Sequence, residues 1–178
     1  MYIFTHKVSW LLVSIASLVT LLTTSSEGKS AVRLVKLDNP PEERSILLIS
    51  SRYDGELLQL TNQQRSSNGV PALRLSAQLG RAAQNHAEDM ANQNFFSHTG
   101  SNGSRMSDRV NQVGYSWQAV AENIYMGTNA SPNGAINGWM NSTGHRRNML
   151  NSNYIEIGFG VATRGRNVYY VQVFGRPR

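Results

Sequence analysis

Two histidines and one glutamate are the residues of this chain best suited to chemistry. His98 stands in F-F-S-H, Glu122 in A-E-N and His145 in S-T-G-H-R, each beside a serine, asparagine or glycine. Neutral imidazole and carboxylate are ordinary zinc ligands, and three protein ligands leave a fourth position for a water that the ion acidifies. On that reading His98, Glu122 and His145 hold a metal, zinc is the candidate cofactor, and Glu122 acts as third ligand or as general base of a hydrolase. The same groups serve equally as the wall of a ligand cleft, together with Asn123 and Ser142, or as a hydrogen-bonded scaffold that ties loops together. Spacing does not choose among these readings. No H-E-x-x-H or similar local pattern is present, and 24 residues separate His98 from Glu122.

Other chemistries find less support. Ser97, Ser142 and Thr143 lie near histidines, but no G-x-S-x-G elbow presents a nucleophile. Glu122 and Glu156 are candidates for a pair of glycosidase carboxylates, against the simpler view that Glu156 faces outward on a strand. The chain has no cysteine, which excludes thiol nucleophiles and thiolate-bound zinc and leaves packing to provide stability. Trp139 shares a helix side with Ile136 and reads as core before it reads as a platform for a sugar or sterol. His86 falls on an apolar helical stripe and is expected to be a hydrogen-bonded core histidine.

These residues sit in a chain of 178 residues with a net charge of +6. Residues 1–28 have the order of a secretory signal: a basic start at His6 and Lys7, an apolar run from Val8 to Leu22, then T-T-S-S-E-G. The run is interrupted by Ser9, Ser14, Ser17 and Thr20 and is shorter than the roughly 20 apolar residues a membrane span requires. A secreted protein with no stable membrane span after signal cleavage is the expectation. Removing residues 1–28 takes away Lys7 and Glu27, so the charge is unchanged. That charge favours acidic partners such as wall polymers or anionic lipids. The basic residues are scattered, unlike the patches of nucleic-acid binders, so no nucleic acid is expected. Asn102, Asn129 and Asn141 each begin an N-x-S/T sequon.

Residues 29–52, with Asp38-Asn-Pro-Pro-Glu-Glu-Arg, read as a linker or pro-segment, and the I-L-L-I run at 46–49 as part of it or as an added strand. The domain proper spans 53–178. A helix over 53–65 carries Tyr53, Leu57 and Leu60 on one face and stops at Asn68-Gly69. Ser76 is a good N-cap for a helix over 77–93, with Leu79, Ala83, His86 and Met90 as its stripe. A short helix follows at about 104–112, then a loop becoming strand over Ala121–Met126. A helix over 133–142 opens at Ser131-Pro132, and a brief turn runs from Gly144 to Leu150. Tyr154–Thr163 and Asn167–Phe174 form a hairpin around Arg164-Gly165-Arg166, with Tyr169, Val171 and Val173 on one face and Tyr170, Gln172 and Phe174 on the other. This order predicts an α+β fold with helices on a small antiparallel sheet.

Seven segments in order carry a resemblance: L-L-x-L-T-N-Q-Q-R…N-G-V-P-A-L, A-A-x-x-H-A-x-x-M, F-S-H, A-E-N, W-M-N-S-T-G-H-R-x-N-M-L, Y-I-E-I-G-F-G and Y-Y-V-Q-V-F-G. Together they resemble the CAP superfamily of cysteine-rich secretory, antigen-5 and class-one pathogenesis-related proteins (the SCP domain), over about residues 53–175. The resemblance implies an αβα sandwich, secretion and a central cleft with a tetrad of two histidines and two glutamates. His98 matches the first histidine and Glu122 the first glutamate. Ser142 and Asn153 stand where the second glutamate and second histidine are expected, and His145 is the candidate substitute, as in a cysteine-free, bacterial-type branch. The family resemblance further implies a non-enzymatic module binding a lipid, a sterol or a cell-wall component through that cleft.

Overall fold

The computed structural model describes residues 41–178, with side chains from Tyr53 onward; the signal expected at 1–28 and the first part of the expected linker lie outside the described residues. The elements in order are α1 (Pro41–Ser67), β1 (Arg74–Leu75), α2 (Ala77–Gln93), α3 (Met106–Gln112), β2 (Trp117–Thr128), α4 (Pro132–Asn141), α5 (Thr143–Met149), β3 (Glu156–Arg164) and β4 (Asn167–Pro177).

One sheet in the order β1-β3-β4-β2 lies between two helical layers. β4 pairs antiparallel with β2 and β3, and the two-residue β1 runs parallel to β3. Alternation along β4 sorts the core. Tyr169, Val171 and Val173 join Leu79, Ala83, Met90 and Val110 of α2 and α3. Tyr170 and Phe174 join Leu57, Ile136, Trp139 and Met149 of α1, α4 and α5. The result is the α+β, αβα sandwich that the sequence implies.

Local chemistry explains the boundaries. The Ser76 hydroxyl accepts from the Leu79 amide to start α2, and Asn94 ends it in the left-handed region with φ 55°. Ser131 caps α4, with Pro132 in its first turn. Gly158 and Gly160 let α2 lie directly on β3: a Cβ on Gly158 would stand 2.0 Å from the Gly80 amide nitrogen, and one on Gly160 2.4 Å from the Ala83 oxygen.

Two expectations change. The linker expected over 29–52 is helical from Pro41, so I-L-L-I belongs to α1 and is not a strand. Proline ends a helix from inside but is well placed in a first turn, which is where Pro41 sits. The strand expected over Ala121–Met126 extends from Trp117 to Thr128. Among the described residues, no helix is long and apolar enough to cross a membrane.

Candidate functional site

β2 is an edge strand, and its alternation sends Glu122 and Asn123 to opposite faces of the sheet. Glu122 pairs with Val173, whose side chain faces α2 and α3; Asn123 pairs with Gln172, which faces α1. The site is built around this edge, with the loop after α2 on one side and α5 on the other.

The Glu122 carboxylate is buried, its side chain 2% exposed, and both its oxygens are engaged. Oε1 accepts from His98 Nδ1 at 2.8 Å, and Oε2 accepts from Arg109 Nη2 at 2.8 Å. Donation from Nδ1 fixes the His98 tautomer and leaves Nε2 as the free nitrogen of a ring that is 55% exposed. Arg109, on α3, also donates to the carbonyl oxygens of His98 (3.1 Å) and Ser104 (3.0 Å). It thus grips both ends of the 98–104 loop. α3 presents it inward because Asp108 accepts the Arg105 amide and starts the helix one turn before.

His86 lies beneath this group, fully buried, as expected of a core histidine. Its Nε2 donates to the Ser97 carbonyl at 2.9 Å, while Nδ1 has no partner. Burial pushes its pKa below the ordinary value, and Arg109 adds to this; Glu122, with Oε1 4.0 Å away, and Asp89 oppose it.

On the other face a polar chain crosses the protein. Gln172 Nε2 donates to Thr61 Oγ1 of α1, and Gln172 Oε1 accepts from Asn123. Asn123 Nδ2 also reaches the His145 carbonyl at 3.2 Å. Asn148 donates to Asn123 Oδ1 at 3.0 Å and to the Glu122 carbonyl at 3.4 Å. Asn123 is fully buried and so supports the cleft from below instead of lining it. This chain docks α5 on the strand edge through the His145 carbonyl and Asn148; burial lowers the His145 pKa, and a smaller repulsion from His98 adds to it.

The structure therefore brings His98, Glu122 and His145 to one edge. Ser142 is the junction of α4 and α5: its amide donates to Trp139 and its carbonyl accepts from Arg146, with no cap bond from its hydroxyl. Glu156 is held by Arg74 at 2.7 Å and by the Tyr115 hydroxyl at 2.6 Å. Trp139 is core, fully buried, with its indole N–H donating to the Ile124 carbonyl. Asn102, Asn129 and Asn141 are exposed. Glu122 spends one bond on His98 and one on Arg109, so the carboxylate serves here as the hydrogen-bonded base of the His98 ring. Among the described residues, no group of three or more histidines and acids is placed to hold a metal ion.

α5 has a second, separate face. Thr143, Arg146, Arg147 and Leu150 follow one another at helical spacing, opposite His145, Asn148 and Met149. With Met140 and Asn141 they line an open groove of about 390 Å³.

An αβα sandwich with a histidine–glutamate pair at the edge strand defines a class of domain, and sequence comparison supplies the family. The chain belongs to the CAP, or cysteine-rich secretory protein, family, whose profile matches residues 58–174. It is 32% identical to YkwD of Bacillus subtilis over 126 residues, which cover 71% of this chain and 48% of that one. It is 34% identical to the B. subtilis membrane protein YlbC, covering 71% of this chain and 35% of that one. An extracellular SCP-domain protein of Bacillus anthracis has a similar structure, with TM-score 0.68 and 30% identity over 78% of this chain and 45% of that one. The chain spans less than half the length of each of these relatives.

Arg109, Asn148, Gln172 and Thr61 are the site-building residues that sequence reasoning passes over. Asn148 lies inside the H-R-x-N-M-L segment, and Gln172 interrupts an apolar strand; both are local signals of a buried polar role.

Proposed function

We propose that this CAP domain is an extracellular, non-enzymatic binding module whose partner is an acidic, hydroxyl-rich cell-wall component. One observation carries the reading: His98 presents a free Nε2 at the surface from a ring fixed by a buried carboxylate. An unprotonated Nε2 held at an open edge is suited to accepting a hydrogen bond from a hydroxyl of the partner. The charge of +6 and the exposed Arg146 and Arg147 on the same short helix support an acidic partner. Sterols and fatty acids fit less well, because such ligands favour enclosed pockets, and the groove on α5 is open, with two arginines, an asparagine and a threonine beside Met140 and Leu150.

The test is calorimetric titration of the full chain with a soluble poly(glycerol phosphate) polymer, with peptidoglycan fragments, and with a sterol and fatty-acid panel. Micromolar binding to the polymer or fragments, weakened roughly tenfold, or about 1.4 kcal/mol, in H98A and H145A is the expected result. Equal binding by all three proteins overturns the role of the histidines. Saturable binding of the lipid panel alone replaces the acidic partner with a lipid. A zinc titration belongs beside these, since one-to-one binding lost in both variants would move the two histidines to a metal-linked function. The hydrolase alternative is less favoured because the Glu122 carboxylate is buried and paired with Arg109 and His98, away from solvent and substrate.

A further inference from the structure

We propose that Arg109 is the positioning residue of the cleft: through Glu122 and the His98 carbonyl it fixes which nitrogen of His98 faces outward. The proposal rests on reading His98 as the group that meets the partner. Arg109 is held through both terminal nitrogens, Nε alone having no partner. One guanidinium nitrogen, Nη2, donates both to Glu122 Oε2 at 2.8 Å and to the His98 carbonyl at 3.1 Å. Glu122 in turn accepts the His98 Nδ1 proton.

The three residues come from α3, β2 and the loop after α2, and meet only in the fold. The guanidinium contributes a planar fork that one ammonium group does not reproduce. The bond from Arg109 to Oε2 holds the carboxylate plane in place, with Oε1 facing His98 Nδ1. Free histidine favours the opposite, Nε2–H tautomer, so the Nδ1–H form has to be maintained by its partner. The loop carrying His98 has ties of its own: Ser101 donates to Asp89 through both its amide and its hydroxyl, and the Gly100 amide donates to Ser104. Removing Arg109 cuts its two bonds to the loop as well as its bond to Glu122, while these other ties still hold the loop.

The tautomer is read directly from imidazole ¹⁵N shifts in long-range ¹H–¹⁵N spectra of the full chain, recorded where the ring is neutral and with no ligand present. In the native protein His98 is expected wholly in the Nδ1–H form. In R109Q that form is expected to fall to a minority, and in R109K to be partly restored. Should R109Q fail to fold, R109K carries the test alone: it keeps the positive charge but not the planar fork and is expected to show an intermediate Nδ1–H population. A His98 ring that stays wholly Nδ1–H in the variant that folds overturns the proposal. Because no ligand enters the measurement, this outcome is independent of whether the binding titrations succeed.

Discussion

The guanidinium of Arg65 is fully buried and donates at 2.7 Å to the Met149 carbonyl, tying α1 to the end of α5. It also donates to the carbonyls of Pro71, Asn151 and Tyr154, so a single cation closes a helix terminus and two loops. A lysine offers one donor point in place of the fork. R65K is expected to lower stability by about 3 kcal/mol, since several buried carbonyls lose charge-assisted partners. Urea unfolding reads this, and a loss below about 0.5 kcal/mol would show that water replaces the guanidinium without cost.

The contact between α2 and β3 is set by backbone, not by side chains. A methyl at Gly160 meets the carbonyl group of Ala83 and cannot be relieved by a rotamer change. G160A is expected to cost more than about 3 kcal/mol, the upper range for overpacking. G165A supplies a contrast: its Cβ meets nothing, and its cost is the smaller one of a residue at φ 58°. Equal midpoints for the two variants would refute the close-approach argument.

His86 makes stability depend on pH. Its folded pKa lies below the ordinary 6.5, because burial disfavours the charged ring. Below 6.5 the unfolded chain takes up a proton that the folded chain refuses, so stability falls as pH drops from about 6.5 toward the folded pKa. His145, also lowered, acts in the same direction. The melting temperature of H86Q is expected to change less between pH 7 and pH 5, taken as roughly spanning the histidine range, than that of the native chain. Parallel curves would mean that His86 is not the group responsible.

Much of this was legible in sequence, for identifiable reasons. α2 was placed residue for residue because its cap, its stripe and its stop are all local. The terminal hairpin followed from β-branched and aromatic residues around Arg164-Gly165-Arg166. The start of α1 is hidden in sequence because Pro40-Pro41 resembles a break, whereas the second proline opens the helix. His98, Glu122 and His145 were identified by residue type. Their arrangement was not, because it depends on Arg109 and Asn148, whose bonds reach across 13 and 26 residues to Glu122. No periodicity encodes such ties.

Asn148 is the most direct test of how α5 is held. Replacing it with alanine removes both its bonds and leaves buried Asn123 and the Glu122 carbonyl short of a partner. A loss of about 1–2 kcal/mol is expected, with faster amide exchange through α5 than through α2. Unchanged exchange in α5 would show that Met149 and its apolar neighbours hold the helix by themselves.

The two margins of the sheet have a consequence for crowding. β1 is only two residues long, and along β2 the outward carbonyls of Glu122 and Ile124 are taken by Asn148 and Trp139. A neighbouring copy thus meets little backbone with which to extend the sheet. Copies brought close together are thereby less prone to pair strand to strand.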